Sequence, residues 1–528
     1  MSKSLPLSLA AYFVPPADCV GEFGVLTGYS ADYHFLNDAL EKFTQNLKWQ
    51  RAFEGSASIA LMLDQNHQQI SPVDCPGLIH LATKAEVKKE FKLLHAKVGL
   101  LLFKNKNNDQ QIVRLIVSTG NWTRQTLEDS LDIVWSVDYD LKEAFDEQVK
   151  ADIAKAYDFI NYTLGFFNTD VVTSKRLNDN LTLTALRYLN FNNALTKIKP
   201  DGNIFSRFFD NRADSLIKQL PNLVKNHASS IKRNYLGIGS GFYEEGDLTH
   251  KMPKVVSEIE TVLKEAGLLI KEPEKDIYVN PMNCQAIASC TVILKSNDWT
   301  VRPAFDALYE GNYQQRSLHA KFIFSAKESS NSDECKSSWL YLGSGNLTSP
   351  GFLNKASLNG GNLEARILFS PKDLNWFGEE NTEQCISNKL PINWDDERII
   401  TDTAKLCAGD EMPEHDSQFL AAPVSYFTLS IIDEATFALK PCITDKQGYQ
   451  VWLADGEACQ MENDLHIWPS PAPRQVKVSW LSDKQILSSY VPVFDEFGRL
   501  AATPLPEIEI DDAWGLVGAF PVLPNDGD

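Results

Sequence analysis

Residues 95–103 read His-Ala-Lys-Val-Gly-Leu-Leu-Leu-Phe, and residues 319–326 read His-Ala-Lys-Phe-Ile-Phe-Ser-Ala. In both, a polar tripeptide opens an apolar run that is short for a helix. The run also lacks the alternation of a strand with one wet face. Such a run suits a strand buried on both sides. Each is followed by a second apolar run that ends at a Gly-Asn turn: LIVSTGNWT at 115–123 and LYLGSGNLT at 340–348. A third run follows each, LDIVWSVDY at 131–139 and LEARILFS at 363–370, with a carboxylate as its second residue. Upstream of the first copy the order is strand (GVLTGYS, 24–30), amphipathic helix (33–47) and strand (SASIALMLDQN, 56–66). Upstream of the second it is strand (NYLGIGSGF, 234–242), helix (VVSEIETVLKEAGLL, 255–269) and strand (DIYVNP, 276–281). The shared order predicts an internal duplication of one α/β unit, with two copies packed face to face.

The 528 residues exceed what one core usually supports, so several domains are expected. We divide the chain into a first lobe (1–165), a linking helical region (166–230), a second lobe (231–400) and a β-rich C-terminal domain (401–528). The linking region is expected to continue the helix of 149–167 with helical sequence over 206–232. The tail, with short alternating runs such as YFTLSII (426–432) and VKVSWL (476–481), reads as an antiparallel sheet, a sandwich in one version, and as a candidate docking site for a protein partner.

Hydrophobic residues at 43% mark a folded chain, and the formal net charge of −20 disfavours loose binding to nucleic acid or anionic membrane without excluding a local basic cleft. The nine cysteines include no C-x-x-C pair, so free thiols in a reducing, cytoplasmic setting are expected. No apolar run reaches the roughly 18 residues of a membrane span, so no membrane anchor is expected. The start, MSKSLPLSLAAYFVPPADC, has too weak an apolar core for a leader.

The chemistry lies in the paired motifs. The candidate set is His95, Lys97, Asn121, His319, Lys321 and Asn346, with Asp132, Glu364, Thr119 and Ser344 in support. His and Lys two apart on a strand share a face. Phosphoryl transfer needs positive charge around the equatorial oxygens, which two lysines and two amides supply without a metal or other cofactor. It also needs a nucleophile and a general acid, and histidine suits both roles. Asp132 and Glu364 suit the second ring nitrogen of a histidine, while Thr119 and Ser344 read equally as turn caps or substrate contacts. The other histidines (34, 67, 80, 227, 250, 415 and 466) lack metal-ligand spacing. Gly237, Gly239 and Gly241 match neither phosphate-loop pattern and read as a strand-to-loop turn.

The duplicated His-x-Lys…Asn motif resembles that of the phospholipase D superfamily. The likeness is clearest over residues 90–135 and 315–370. Members commonly carry an Asp five positions after the Lys, where this chain has Leu102 and Ala326. With both Asp absent and both Asn kept, the motifs are most similar to the tyrosyl-DNA phosphodiesterase branch. The resemblance implies two pseudo-symmetric α/β lobes sharing one metal-independent site, with a covalent phosphohistidine intermediate. It implies His95 as nucleophile and His319 as general acid. Lys97, Lys321, Asn121 and Asn346 would then bind phosphate. Asp132 and Glu364 would orient the histidines, each across to the other lobe. The expected substrate is nucleic acid at its ends. The alternatives are an endonuclease of repair or defence, a lipid phosphodiesterase, or a binding module with a decayed site.

Overall fold

The computed structural model describes residues 8–503 except 143–145, 177–178, 245–250, 305–315, 377–383, 393, 395–398, 402–404, 410–417, 444–447 and 483. The chain is mixed α/β, built on two large sheets and a third C-terminal one. In the first half, β1 (Cys19–Gly28), α1 (Tyr33–Thr44), α2 (Lys48–Glu54), β2 (Ile59–Leu63) and β3 (Leu78–His80) come first. They are followed by β4 (Val98–Asn105), β5 (Gln111–Ser118), the short α3 (Arg124–Glu128), β6 (Ser130–Leu131) and β7 (Val134–Asp140). Then come α4 (Glu147–Leu164), α5 (Leu183–Leu195), β8 (Phe208–Asp210) and α6 (Leu216–His227). The second half holds β9 (Arg233–Gly239), α7 (Lys254–Glu265), β10 (Leu269–Val279), α8 (Ile287–Ser296) and β11 (Trp299–Pro303). It ends with β12 (Ser317–Leu318), β13 (Phe322–Ser329), β14 (Ser332–Gly343) and β15 (Ala365–Phe369).

The first sheet has the order β3-β2-β1-β4-β5-β7, and the second β11-β10-β9-β13-β14-β15-β8. In each, the first three strands are parallel and the next three antiparallel. Period-two alternation explains the apolar runs. Leu100 and Leu102 of β4 enter an inner core that also takes Phe322 and Phe324 of β13, so this core lies between the sheets. Leu101 and Phe103 face outward onto Phe35, Leu36 and Phe43 of α1. Ile323 faces outward into the cluster that holds α6, α7 and α8. Each fully buried Leu or Phe contributes roughly 1.5–3 kcal/mol. A wet face on either strand would forfeit half of that set, so the runs carry no polar alternation.

Several expectations change. The stretch 206–232 is not one helix: Phe208–Asp210 is a strand that pairs with β15, and only Leu216–His227 is helical. Through the polar segment between the second pair of motif strands, which the local sequence does not mark as strand, β13 and β14 continue as a bulged hairpin with Lys327 opposite Lys336. Gly237 and Gly239 lie within β9, leaving only Gly241 past its end. The C-terminal strands β16 (Phe427–Asp433), β17 (Thr436–Pro441), β18 (Tyr449–Trp452), β19 (Met461–Glu462), β20 (Leu465–Pro469), β21 (Gln475–Ser482) and β22 (Gln485–Phe494) form one continuous sheet in the order β18-β21-β22-β16-β17-β20-β19. Its pairs are antiparallel except β16 with β22.

Residues 1–7 of the weakly apolar start lie outside the described residues, while Leu9–Phe13 forms a 3-10 turn whose Phe13 packs on Phe35 and Trp122. All nine cysteines are free thiols, most of them buried. Among the described residues no helix is long and apolar enough to cross a membrane.

Candidate active site

The two His-Ala-Lys tripeptides do not lie on their strands as the alternation argument supposed. They occupy the extended residues immediately before β4 and β13. The reason is a cross-link between the halves. His95 N and Ala96 N both donate to Leu363 O, which precedes Glu364. In the same way His319 N and Ala320 N both donate to Leu131 O, which precedes Asp132. The first two N–H groups of each tripeptide are thus satisfied by the other half of the chain, while Ala96 O and Lys97 O accept from Thr27 Oγ1 and Ser118 N of their own half, and each histidine is set beside the other half's carboxylate.

The side chains follow. His95 Nδ1–H donates to Glu364 Oε1 at 3.0 Å, with Oε2 at 3.2 Å. His319 Nδ1–H donates to Asp132 Oδ1 at 2.9 Å, with Oδ2 at 3.2 Å. A carboxylate only accepts, so each ring carries its proton on Nδ1 and turns Nε2 away from the acid. Thr119 Oγ1 donates to Asp132 Oδ1 at 2.7 Å and accepts from Ile133 N. Ser344 Oγ donates to Glu364 Oε2 and accepts from Ala365 N. Both hydroxyls therefore hold the carboxylates. The glycine before each motif asparagine is required by close approach. A Cβ on Gly120 would stand 2.8 Å from the Asp132 carboxyl carbon, and one on Gly345 would stand 1.4 Å from Arg366 Nη2.

Lys97 and Lys321 are fully buried. Lys97 Nζ donates to His95 O at 2.9 Å, and Lys321 Nζ donates across the halves to Thr119 O at 3.3 Å. Burial, then the charge of Lys321, holds the Lys97 ammonium well below its ordinary range, and burial takes Lys321 down to about 8 despite nearby Asp132 and Glu364. An ammonium with three donors, taken out of water onto a single carbonyl, is unfavourable unless an anion joins it. An anion set between the two lysines would return both toward their charged form. Asn121 and Asn346 each carry a buried amide oxygen with no hydrogen-bond partner. A half-turn about χ2 presents the NH2 group instead, a donor suited to a phosphate oxygen.

Burial, with help from Lys97 and Lys321, lowers His95 to about 4, against the pull of Glu364. Burial also lowers His319, against Asp132. For Glu364, burial acts upward, but His95, Arg366 and Lys97 outweigh it and hold the acid at about 2. Asp132 is likewise lowered, burial being outweighed by His319 and Lys321.

Eight of the ten sequence-derived candidates are therefore joined by contacts at one place, and Asn121 and Asn346 directly follow the glycines that approach Asp132 and Arg366. Reading the sequence missed three neighbours. Arg366 is fully buried, 4.0 Å from Glu364, and donates to Gly351 O. Asn211, within the supposed linking helix, accepts from Glu364 N at 2.9 Å. Tyr29 packs its ring on His95, with centroids 5.6 Å apart. Arg366 was legible as an anomaly, a charge inside the apolar run ARILF; the other two carry no local signal. Of the remaining histidines, His80 is buried with a pKa lowered by burial to about 3, and His67 Nε2 accepts from Ala31 N. His250 and His415 lie outside the described residues. Among the described residues no three His, Cys, Asp or Glu side chains gather as a metal site. No family model and no curated protein matches this chain.

Proposed function

We propose that this chain is a phosphodiesterase of the phospholipase D type, acting at nucleic-acid ends through a phosphohistidine, with its two large sheets as pseudo-symmetric lobes. One observation carries the reading: two fully buried lysines, one just before β4 and one just before β13, lie close to two histidine–carboxylate pairs that each join one half of the chain to the other. That arrangement supplies fixed positive charge for a phosphate and one imidazole on each side of it. The shared strand order of the two sheets supports the lobe assignment.

In this mechanism the neutral Nε2 of His95 attacks phosphorus and the bond to the leaving oxygen breaks. His319, protonated when the phosphate's negative charge enters, delivers that proton to the leaving oxygen. Neutral His319 then takes a proton from water, the water oxygen bonds to phosphorus, and the P–N bond breaks to restore His95. Lys97, Lys321 and the two asparagines hold the nonbridging oxygens throughout.

The test is a panel assayed in excess chelator: 3′-phosphotyrosyl DNA, single- and double-stranded DNA, RNA and phosphatidylcholine. Turnover of a nucleic-acid substrate should be unchanged by chelator, because the charge the reaction needs comes from lysines and amides. Loss of turnover that added metal restores would overturn the mechanism. Cleavage of phosphatidylcholine alone would overturn the substrate class.

The pH profile gives a second check. On a p-nitrophenyl ester, whose leaving group needs little protonation, kcat/KM reports the free enzyme's attacking base and phosphate clamp. His95 is lowered to about 4, so it is neutral and able to attack above that pH. Lys321 is lowered to about 8, so its charge is lost above that pH. The profile should rise through pH about 4 and have fallen by about pH 8, since Lys97 in the same clamp is lowered as well. An acid limb at or above the ordinary imidazole value would contradict a neutral, buried His95.

A further inference from the structure

Beside the His95 flank lies a hollow of about 560 Å³ that none of the motif residues lines. Its wall is made by Tyr29, Tyr33, Asn66, His67 and Gln68, among others. Tyr29 belongs to both places, since one ring lines the hollow and packs on the His95 imidazole at 58°. Tyr33 is about half exposed and stacks on His34 with centroids 4.0 Å apart. The hollow therefore offers flat aromatic surface with amide side chains around it. Among its described lining residues are the carboxylates Asp32 and Asp74 and no lysine or arginine. Asp32 is already engaged, accepting from Phe35 N and Arg124 N. His67 donates from Nδ1 to Gln68 O and accepts at Nε2 from Ala31 N, which fixes it as the neutral ring. Such a wall suits an uncharged flat ring with polar edges and disfavours a further phosphate.

The loop that forms the outer wall is held by the C-terminal domain. Gln69 Nε2 donates to Tyr490 O at 2.6 Å and Gln69 Oε1 accepts from Tyr490 N at 2.9 Å. Phe419 N donates to Gln65 O at 2.7 Å. The β-rich tail thus shapes this wall.

We infer that the hollow holds the nucleoside that stays on phosphorus while the phosphohistidine exists, with its base against Tyr29. This rests on the phosphodiesterase reading above. In-line displacement puts the leaving group opposite His95, on the His319 side, so a cavity on the His95 flank serves the retained ester.

The experiment keeps p-nitrophenolate as the leaving group and varies the retained one: methyl, hexyl, or thymidine attached through its 3′ oxygen. Base stacking should favour the thymidine ester over the methyl ester by about tenfold or more in kcat/KM. That ratio should collapse in Tyr29→Ala and persist in Tyr29→Phe, and a ratio is insensitive to any loss of folded enzyme. Should Tyr29→Ala prove inactive on every ester, Tyr33→Ala, at an exposed ring, supplies the same ratio and should lower it. A wild-type ratio near one, a ratio unmoved by both alanine variants, or a preference for hexyl over thymidine would overturn the assignment while leaving the phosphodiesterase reading intact. No nitrophenolate release from any of the three by the wild-type protein would take down both.

Discussion

His95→Ala is expected to lose about 10,000-fold or more in turnover on any substrate the wild-type protein cleaves, measured at saturating substrate. The size follows from the role. Without the imidazole, no P–N bond forms, and water would have to attack in a site that positions no base for it on that side. Asn, Lys and His319 contacts to phosphate remain, so the loss should fall on kcat far more than on KM. The substitution also unpairs Glu364, a fully buried carboxylate. Ser344 Oγ and Asn362 Nδ2 still donate to that acid, and Arg366 stays 4.0 Å away, so a thermal unfolding curve should still show one folded protein. Retention of more than about 1% of wild-type turnover by the folded variant would remove His95 from the nucleophile's role.

The features that were legible in the sequence were those set by local pattern. The apolar runs of 98–103 and 322–326 announce strands buried on both faces, and each is flanked by helices outside and the other sheet inside. The Gly-Asn turns fall just beyond the ends of β5 and β14. The cross-pairing of each carboxylate with the other half's histidine came from the resemblance, since nothing within either motif specifies it. What escaped was set by distant partners. Phe208–Asp210 has three residues and is a strand only because β15 lies beside it. The Ser-, Glu- and Lys-rich stretch 327–337 has poor strand propensity, yet it extends the β13–β14 hairpin because each strand supplies the other's ladder. Asn211 bonds to Glu364 N and to Asn362 O, more than 150 residues downstream, so no window of sequence could attach it to the site.

The two histidine–carboxylate pairs are alike in pattern but unequal in setting, and the inequality bears on which imidazole attacks. Glu364 is completely buried, with Arg366 beside it, whereas the equivalent of Arg366 after Asp132 is Val134. The His95 side chain is 10% exposed and that of His319 25%. The more enclosed ring stays neutral over a wide pH range, as a nucleophile requires. The more open one can exchange its proton with a leaving group and then with water. His319→Asn should therefore spare formation of the covalent adduct and slow its breakdown, because asparagine keeps a polar group in place but cannot take the water's proton. With a phosphotyrosyl ester, which departs with little help, the enzyme–DNA adduct should accumulate. Denaturing electrophoresis of end-labelled DNA with the variant should then show a slow-moving band. The band should be absent with His95→Ala and with the double variant. A band with His95→Ala but not with His319→Asn would exchange the two roles. No band with any variant, alongside full wild-type turnover, would mean that water attacks phosphorus directly and that neither histidine is ever phosphorylated.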